Sequence, residues 1–264
     1  MKETMRLWFI GDIFGRQGRT IVTNKFRHIV QTESIDFVIA NGENSAGGLG
    51  ITPEIAKHFF TLGIDVITSG NHIWSKKEIY EYINANHNLI RPANYVDCAP
   101  GRGYTIITKN TYSVAVINLL GRVFIPDTDC PFRKFDAIYE TIKSKAKIIV
   151  VDFHAEATSE KMAFAYHTAG RVSAVIGTHT HVQTNDCRIF DNHTAYISDA
   201  GMTGPYNNSV IGVDKNIVLR KFLTGLPSKF EPADSSVMQL NSIIIDINIS
   251  TGSAIEIKHC NIIE

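Results

Sequence analysis

The chain has 264 residues, 44% hydrophobic and 20% charged, which suits one substantial core and excludes a disordered or low-complexity chain. Its 26 basic residues cancel 26 acidic ones, so no phosphate-tracking field of the kind long nucleic acids need is expected, although a small, locally bound anion is compatible. Apolar runs such as Ile148-Ile149-Val150-Val151 and Ile243-Ile244-Ile245 are far shorter than the roughly 20 residues that span a bilayer. Leu7-Trp8-Phe9-Ile10 passes directly into Gly11-Asp12 without a signal-like segment, so a cytoplasmic protein with no membrane partner is expected.

In chain order, residues 6–10, 37–40, 66–68, 114–119, 148–153, 174–177 and 195–198 are short β-branched runs that read as strands. Between them, 20–31, 53–62, 76–85, 132–145 and 159–169 carry helical spacing, with Thr52 before Pro53 as an N-cap and first helical position. Near the C-terminus, 236–247 and 255–259 alternate apolar and polar residues across Ser250-Thr251-Gly252-Ser253, the pattern of an antiparallel hairpin. The expectation is an α/β protein with mixed sheets and one domain over residues 1–264. Residues 199–208 are expected to form a long polar loop of the kind that often carries function. Cys98, Cys130, Cys187 and Cys260 make no CxxC pair, so neither disulfides nor a thiolate zinc site is expected.

Strand after strand ends in a residue able to hold a metal. The runs lead into Gly11-Asp12, Asn41-Gly42-Glu43-Asn44, Gly70-Asn71-His72, Asp152-Phe153-His154 and Gly177-Thr178-His179-Thr180-His181. In layered α/β proteins the carboxyl ends of strands border the ligand crevice, so these side chains can meet. Asp12 and Glu43 supply anionic oxygen, Asn44 and Asn71 neutral oxygen, and His154, His179 and His181 imidazole nitrogen. Such a thiolate-free N/O set is large enough for two metals and favours iron or manganese, with zinc also suited. Two ions about 3.5–4 Å apart need a bridging carboxylate, for which Glu43 is the candidate. The remaining histidines, His28, His58, His87, His167, His193 and His259, have no partner motif and read as surface or locally satisfied side chains. Gly11, Gly15 and Gly18 lack both the GxGxxG spacing and a Walker lysine, so a nucleotide loop is discounted.

These motifs resemble the calcineurin-like binuclear metallophosphoesterases, whose pattern runs GD, a second acidic motif, GNH, a lone His and GHxH. The strings HAEATSEK (154–161) and GTHTHVQT (177–184), with Arg91-Pro92-Ala93-Asn94 and Gly201-Met202-Thr203-Gly204-Pro205-Tyr206, resemble the bacterial YmdB-type subgroup over nearly the whole chain. The resemblance implies an αββα sandwich of two mixed sheets flanked by helices. It implies Asp12, Glu43, Asn44 and His181 around one metal, and Asn71, His154 and His179 around a second that Glu43 bridges. His72 would be the general acid, and 2',3'-cyclic-nucleotide 2'-phosphodiesterase activity the reaction. Phe14 stands where the wider superfamily places a ligand His, Glu43 replaces its usual Asp, and Ile73 replaces the acidic residue after GNH. Arg91, Asn94, Thr203 and Tyr206 are candidates for shaping the substrate pocket. The expected partner is a small phosphoester, with self-association as a general expectation. The rival readings are a phosphomonoesterase or broader phosphodiesterase on the same metals, and a regulatory protein whose metal site is structural.

Overall fold

The first long run, TMRLWFI, buries alternate residues in different places: Met5, Leu7 and Phe9 join one apolar cluster, while Trp8 and Ile10 join another. A strand buried on both faces must be covered on both. The computed structural model describes residues 2–109, 111–125 and 128–264 and shows both layers.

The first sheet joins β1 (Thr4–Ile10), β3 (Phe37–Asn41) and β4 (Val66–Thr68) in parallel, with β15 (Ser242–Asn248) and β16 (Ala254–His259) antiparallel at the other edge, in the order β16-β15-β1-β3-β4. In the second sheet, β6 (Tyr112–Leu120), β7 (Ile148–His154), β8 (Ala174–Thr178) and β10 (Thr194–Ile197) run parallel. The antiparallel β5 (Tyr104–Lys109) and β9 (Arg188–Phe190) form its edges. Between the sheets lie Leu7 and Phe9 with Val114, Val116, Val150, Ile176, Ile243 and Ile245.

Outside the first sheet, Trp8, Ile10 and Val38 pack on α1 (Gly15–Thr32), α2 (Pro53–Leu62) and α3 (Ile79–Ala85). Outside the second, Ile117, Val151 and Phe153 pack on α4 (Pro131–Ile142) and α5 (Thr158–Thr168). The expected αββα sandwich is therefore the observed fold. No helix among the described residues is long and apolar enough to cross a membrane, and the four cysteines are free.

Several boundaries differ from the sequence reading. Helix α1 starts at Gly15, not at 20, and the 76–85 helix is a 3-10 turn at Ile73–Ser75 followed by α3. The run 236–247 splits at Asn241 into β14 (Met238–Leu240) and β15. The loop at 199–208 contains β11 (Met202–Pro205), which pairs with β2 (Asp12–Ile13) and β14 in a small sheet completed by β17 (Ile262–Ile263). The short hairpin β12 (Ser209–Val210) and β13 (Val213–Asp214) then leads into α6 (Lys215–Thr224), a helix absent from the sequence reading. Of its residues only Val218 is buried; Leu219, Phe222 and Leu223 recur at helical spacing but lie exposed.

Candidate metal centre and active site

The parallel strands of both sheets end at one edge of the sandwich, which brings together Asp12 after β1, Glu43 after β3, His72 after β4, His154 ending β7, and His179 and His181 after β8. The His-x-His turn is strained, with φ of 102° at His179 and 67° at His181. It is held from several sides. His179 N–H donates to Asp12 Oδ2 at 3.1 Å, and Thr180 donates to Asp199 Oδ2 from its N–H (2.9 Å) and its hydroxyl (2.8 Å). The same Asp199 oxygen pairs with buried Lys161 Nζ at 2.8 Å. Sequence reasoning misses Lys161 and Asp199 as anchors, because a buried charge pair cannot be recognised across a separation of 38 residues.

At the centre, Glu43 Oε1 lies 3.1 Å from His154 Nε2 and 3.3 Å from His72 Nδ1. His154 Nε2 is 3.0 Å from His179 Nδ1, and one ligand atom each from Glu43, His154 and His179 fall within 4.8 Å of one another. Asn44 joins the cluster through Nδ2, 3.1 Å from His181 Nε2, and through Oδ1, which accepts from His72 Nδ1 at 2.8 Å.

The surrounding bonds decide which ring nitrogens are free. Buried Asp152 accepts at Oδ1 from the Thr178 hydroxyl (2.7 Å), so that hydroxyl must accept from His154 Nδ1–H (2.9 Å), leaving Nε2 to face the cluster. His181 Nδ1–H donates to the Ile211 carbonyl at 2.8 Å, freeing its Nε2. His179 Nε2 pairs with Glu156 Oε2 at 3.1 Å, freeing its Nδ1. Two free ring nitrogens 3.0 Å apart repel unless a proton or cation lies between them.

The electrostatics agree. Burial pushes the Asp12 carboxyl up, against the pull of His181 and His154. Burial would do the same to Glu43, but the charge of His154 beside it outweighs this and holds Glu43 well below the ordinary range. Burial lowers His154, yet Glu43 and Asp12 outweigh it and push the ring up to about 9. Burial and the neighbouring His154 lower His179 to about 3. Burial raises Asp152 to about 6.

The donor set passes a test for divalent cations. Asp12 Oδ1 and Asn71 Oδ1 are buried with no hydrogen-bond partner, although almost every buried polar atom in a folded protein has one. Gly70 keeps the space between the candidate ligands open: a Cβ there would lie 2.1 Å from Glu43 Oε2 and 2.4 Å from His154 Nε2. Oxygen and imidazole donors without thiolate match the hard to intermediate divalent ions. Phe14 adds no ligand; its ring sits edge-on to His181 at 5.7 Å.

The cluster opens into a cleft of about 440 Å³ with Glu43, Asn44, His72, His179 and His181 on its polar side. Its other side is apolar and includes Phe14, Leu49, Ile211, Val213 and Phe230, of which only Phe14 stands out in the sequence. None of the four pocket candidates lines it. Arg91 is buried and donates to the carbonyls of Pro92, Ala99 and Pro100. Asn94 bridges Leu120 and Asp129, Thr203 exchanges bonds with Asn241, and Tyr206 is exposed elsewhere. Arg91, Asn94 and Thr203 act on backbone because each is spent on a loop carbonyl or amide.

Two mixed sheets face to face, with an Asp/Glu/Asn/His cluster at the carboxyl ends of their parallel strands, define the metallophosphoesterase class of fold. A family model described as YmdB-like protein matches residues 8–260, and the chain belongs to that family. It is 45% identical over 254 residues to a 2',3'-cyclic-nucleotide 2'-phosphodiesterase of Bacillus subtilis, covering 96% of each chain. A crystal structure titled as a novel phosphatase of Mycoplasma pneumoniae superposes with a TM-score of 0.93 at 34% identity, over 100% of this chain and 95% of that one. A hypothetical protein of Thermus thermophilus superposes with a TM-score of 0.91 at 36% identity, over 98% of this chain and 100% of that one.

Proposed function

We propose that this protein is a metal-dependent phosphodiesterase that opens 2',3'-cyclic nucleotides to 3'-nucleotides, with two transition-metal ions, iron or manganese, as its cofactor. The observation that carries the reading is the Glu43–His154–His179 cluster at the head of a cleft that His72 also lines, with unpartnered buried oxygens on Asp12 and Asn71 at neighbouring strand ends. Asp12, Glu43, Asn44 and His181 would hold one ion, and Glu43, Asn71, His154 and His179 the other. Bound ions of this kind supply Lewis acidity toward phosphoryl oxygens and lower the pKa of water.

The chain's own residues supply the rest. His72 sits at the cleft, part-exposed, with Nδ1 fixed on Asn44 Oδ1, so Nε2 is the atom that gives a proton to the departing 2' oxygen. The Asp152–Thr178 chain holds His154 in one tautomer. Leu49, Ile211, Val213 and Phe230 present an apolar wall that fits a nucleoside. The B. subtilis relative's activity supports the substrate class.

The test is product-resolved hydrolysis of 2',3'-cyclic AMP with Mn²⁺ or Fe²⁺ and a chelated control. Metal-dependent 3'-AMP is expected. Release of 2'-AMP would overturn the leaving-group assignment, and turnover of monoesters alone would overturn the reaction class.

A further inference from the structure

Gly47 and Pro232 line the cleft. The same two residues border a second hollow of about 300 Å³, lined also by Arg16, Gln17, Arg19, Ala233 and Asp234. Arg16 and Arg19 are three residues apart across the first two turns of α1 and therefore on one face of the helix. Arg19 is half-buried, and its guanidinium donates to the Ser45 carbonyl at 2.5 Å. Among the described residues no carboxylate pairs with it; burial and the like charge of Arg16 lower its pKa with no opposing anion. Arg16 approaches Asp234 only at 3.9 Å, with side chains 78% and 96% exposed, where water screens the pair.

Two guanidiniums on one face, one of them half-buried, repel each other. An anion between them removes that cost, and a phosphate matches the guanidinium fork. The hollow shares Gly47 and Pro232 with the cleft in which a cyclic phosphate would react, which makes a second anionic group on that ligand the candidate occupant. We propose that Arg16 and Arg19 form a second phosphate subsite, which takes a phosphate carried on the 5' oxygen of the 2',3'-cyclic nucleotide. This rests on the proposed reaction at the metal centre. Two substrates share that chemistry: a 5'-phosphorylated cyclic mononucleotide, and the 3' end of a short oligoribonucleotide that terminates in a cyclic phosphate.

The experiment compares kcat/KM with Mn²⁺ for adenosine 2',3'-cyclic phosphate, its 5'-phosphorylated form, and adenylyl-adenosine 2',3'-cyclic phosphate. At least one phosphate-bearing substrate gains about tenfold, the size of one charge-assisted contact. The substrate that gains identifies the source. The double variant Arg16→Gln, Arg19→Gln removes the gain, read as the ratio of kcat/KM for each phosphate-bearing substrate to that for the plain cyclic nucleotide. Equal values for all three substrates, or a gain that survives the double variant, overturn the subsite. A binding measurement separates this from failure of the proposed reaction: adenosine 3',5'-bisphosphate binds about tenfold tighter than 3'-AMP to the Mn²⁺-loaded protein, and the double variant abolishes the difference. If no substrate turns over, that binding difference still upholds the subsite, whereas equal binding of the two ligands overturns it.

Discussion

Thr178 decides which nitrogen of His154 is free, because its one hydroxyl proton goes to Asp152 and its lone pair must then take the proton on His154 Nδ1. The charge on His154 alters the stability of the metal-free protein. Its folded pKa, pushed to about 9 by Glu43 and Asp12 against the opposing effect of burial, lies above the ordinary 6.5. That contribution is complete below 6.5 and is lost as pH rises toward 9. Asp152, raised by burial to about 6, is largely ionised before that window opens. The urea midpoint of chelator-treated protein should therefore fall between pH 6.5 and 9, and His154→Gln should flatten the slope. Manganese affinity should rise over the same range, since metal and proton compete for Nε2. His72 meets the candidate ligands from outside, through Asn44 Oδ1 at 2.8 Å and Glu43 Oε1 at 3.3 Å. His72→Ala should then lower kcat by roughly 10²–10⁴-fold while metal content, read by atomic absorption, stays at the wild-type level. The candidate ligand residues are legible in the sequence because each lies at or directly after the end of a strand. Lys161 and Asp199 are not, since only the turn between β8 and the small sheet joins them to the site.

Helix α2 carries its start and stop signals in its own sequence: Thr52 Oγ1 accepts from Ile55 N–H, Pro53 follows, and Gly63 closes it at φ 114°. Thr52→Ala should cost about 1 kcal/mol in denaturant unfolding, with no change in metal-dependent turnover. Helix α1 begins earlier than its sequence suggests for a different reason. Gly15 and Gly18 look like loop residues, yet Gly18 is helical and needed for packing, because a Cβ there would lie 2.3 Å from the Thr203 carbonyl of β11. That contact exists only once the small sheet has formed. The division of 236–247 into β14 and β15 has the same origin: Gly11 N–H donates to the Asn241 carbonyl at the point where the chain passes between sheets.

Across the molecule, the inter-sheet core holds the strands whose ends carry the Asp/Glu/Asn/His cluster. Leu7 is fully buried between the sheets, so Leu7→Ala should cost about 2–5 kcal/mol and lower the urea midpoint accordingly. Saturating Mn²⁺ should raise stability by about 2.7 kcal/mol at a hundredfold excess over its Kd, read as a higher Tm than in chelator. Local residue patterns are enough to set the alternation of strands and helices, and to put Asp12, Glu43, Asn71, His72, His154, His179 and His181 at strand ends. Both follow from short-range rules, a two-residue period in strands and polar residues where a strand leaves the core. Packing between distant segments, by contrast, is what commits Arg91 and Asn94 to backbone, walls the cleft with Phe230 and Ile211, and sets Arg16 and Arg19 around the neighbouring hollow. Those outcomes depend on which parts of the chain come to lie side by side, and no local pattern of residues encodes that adjacency.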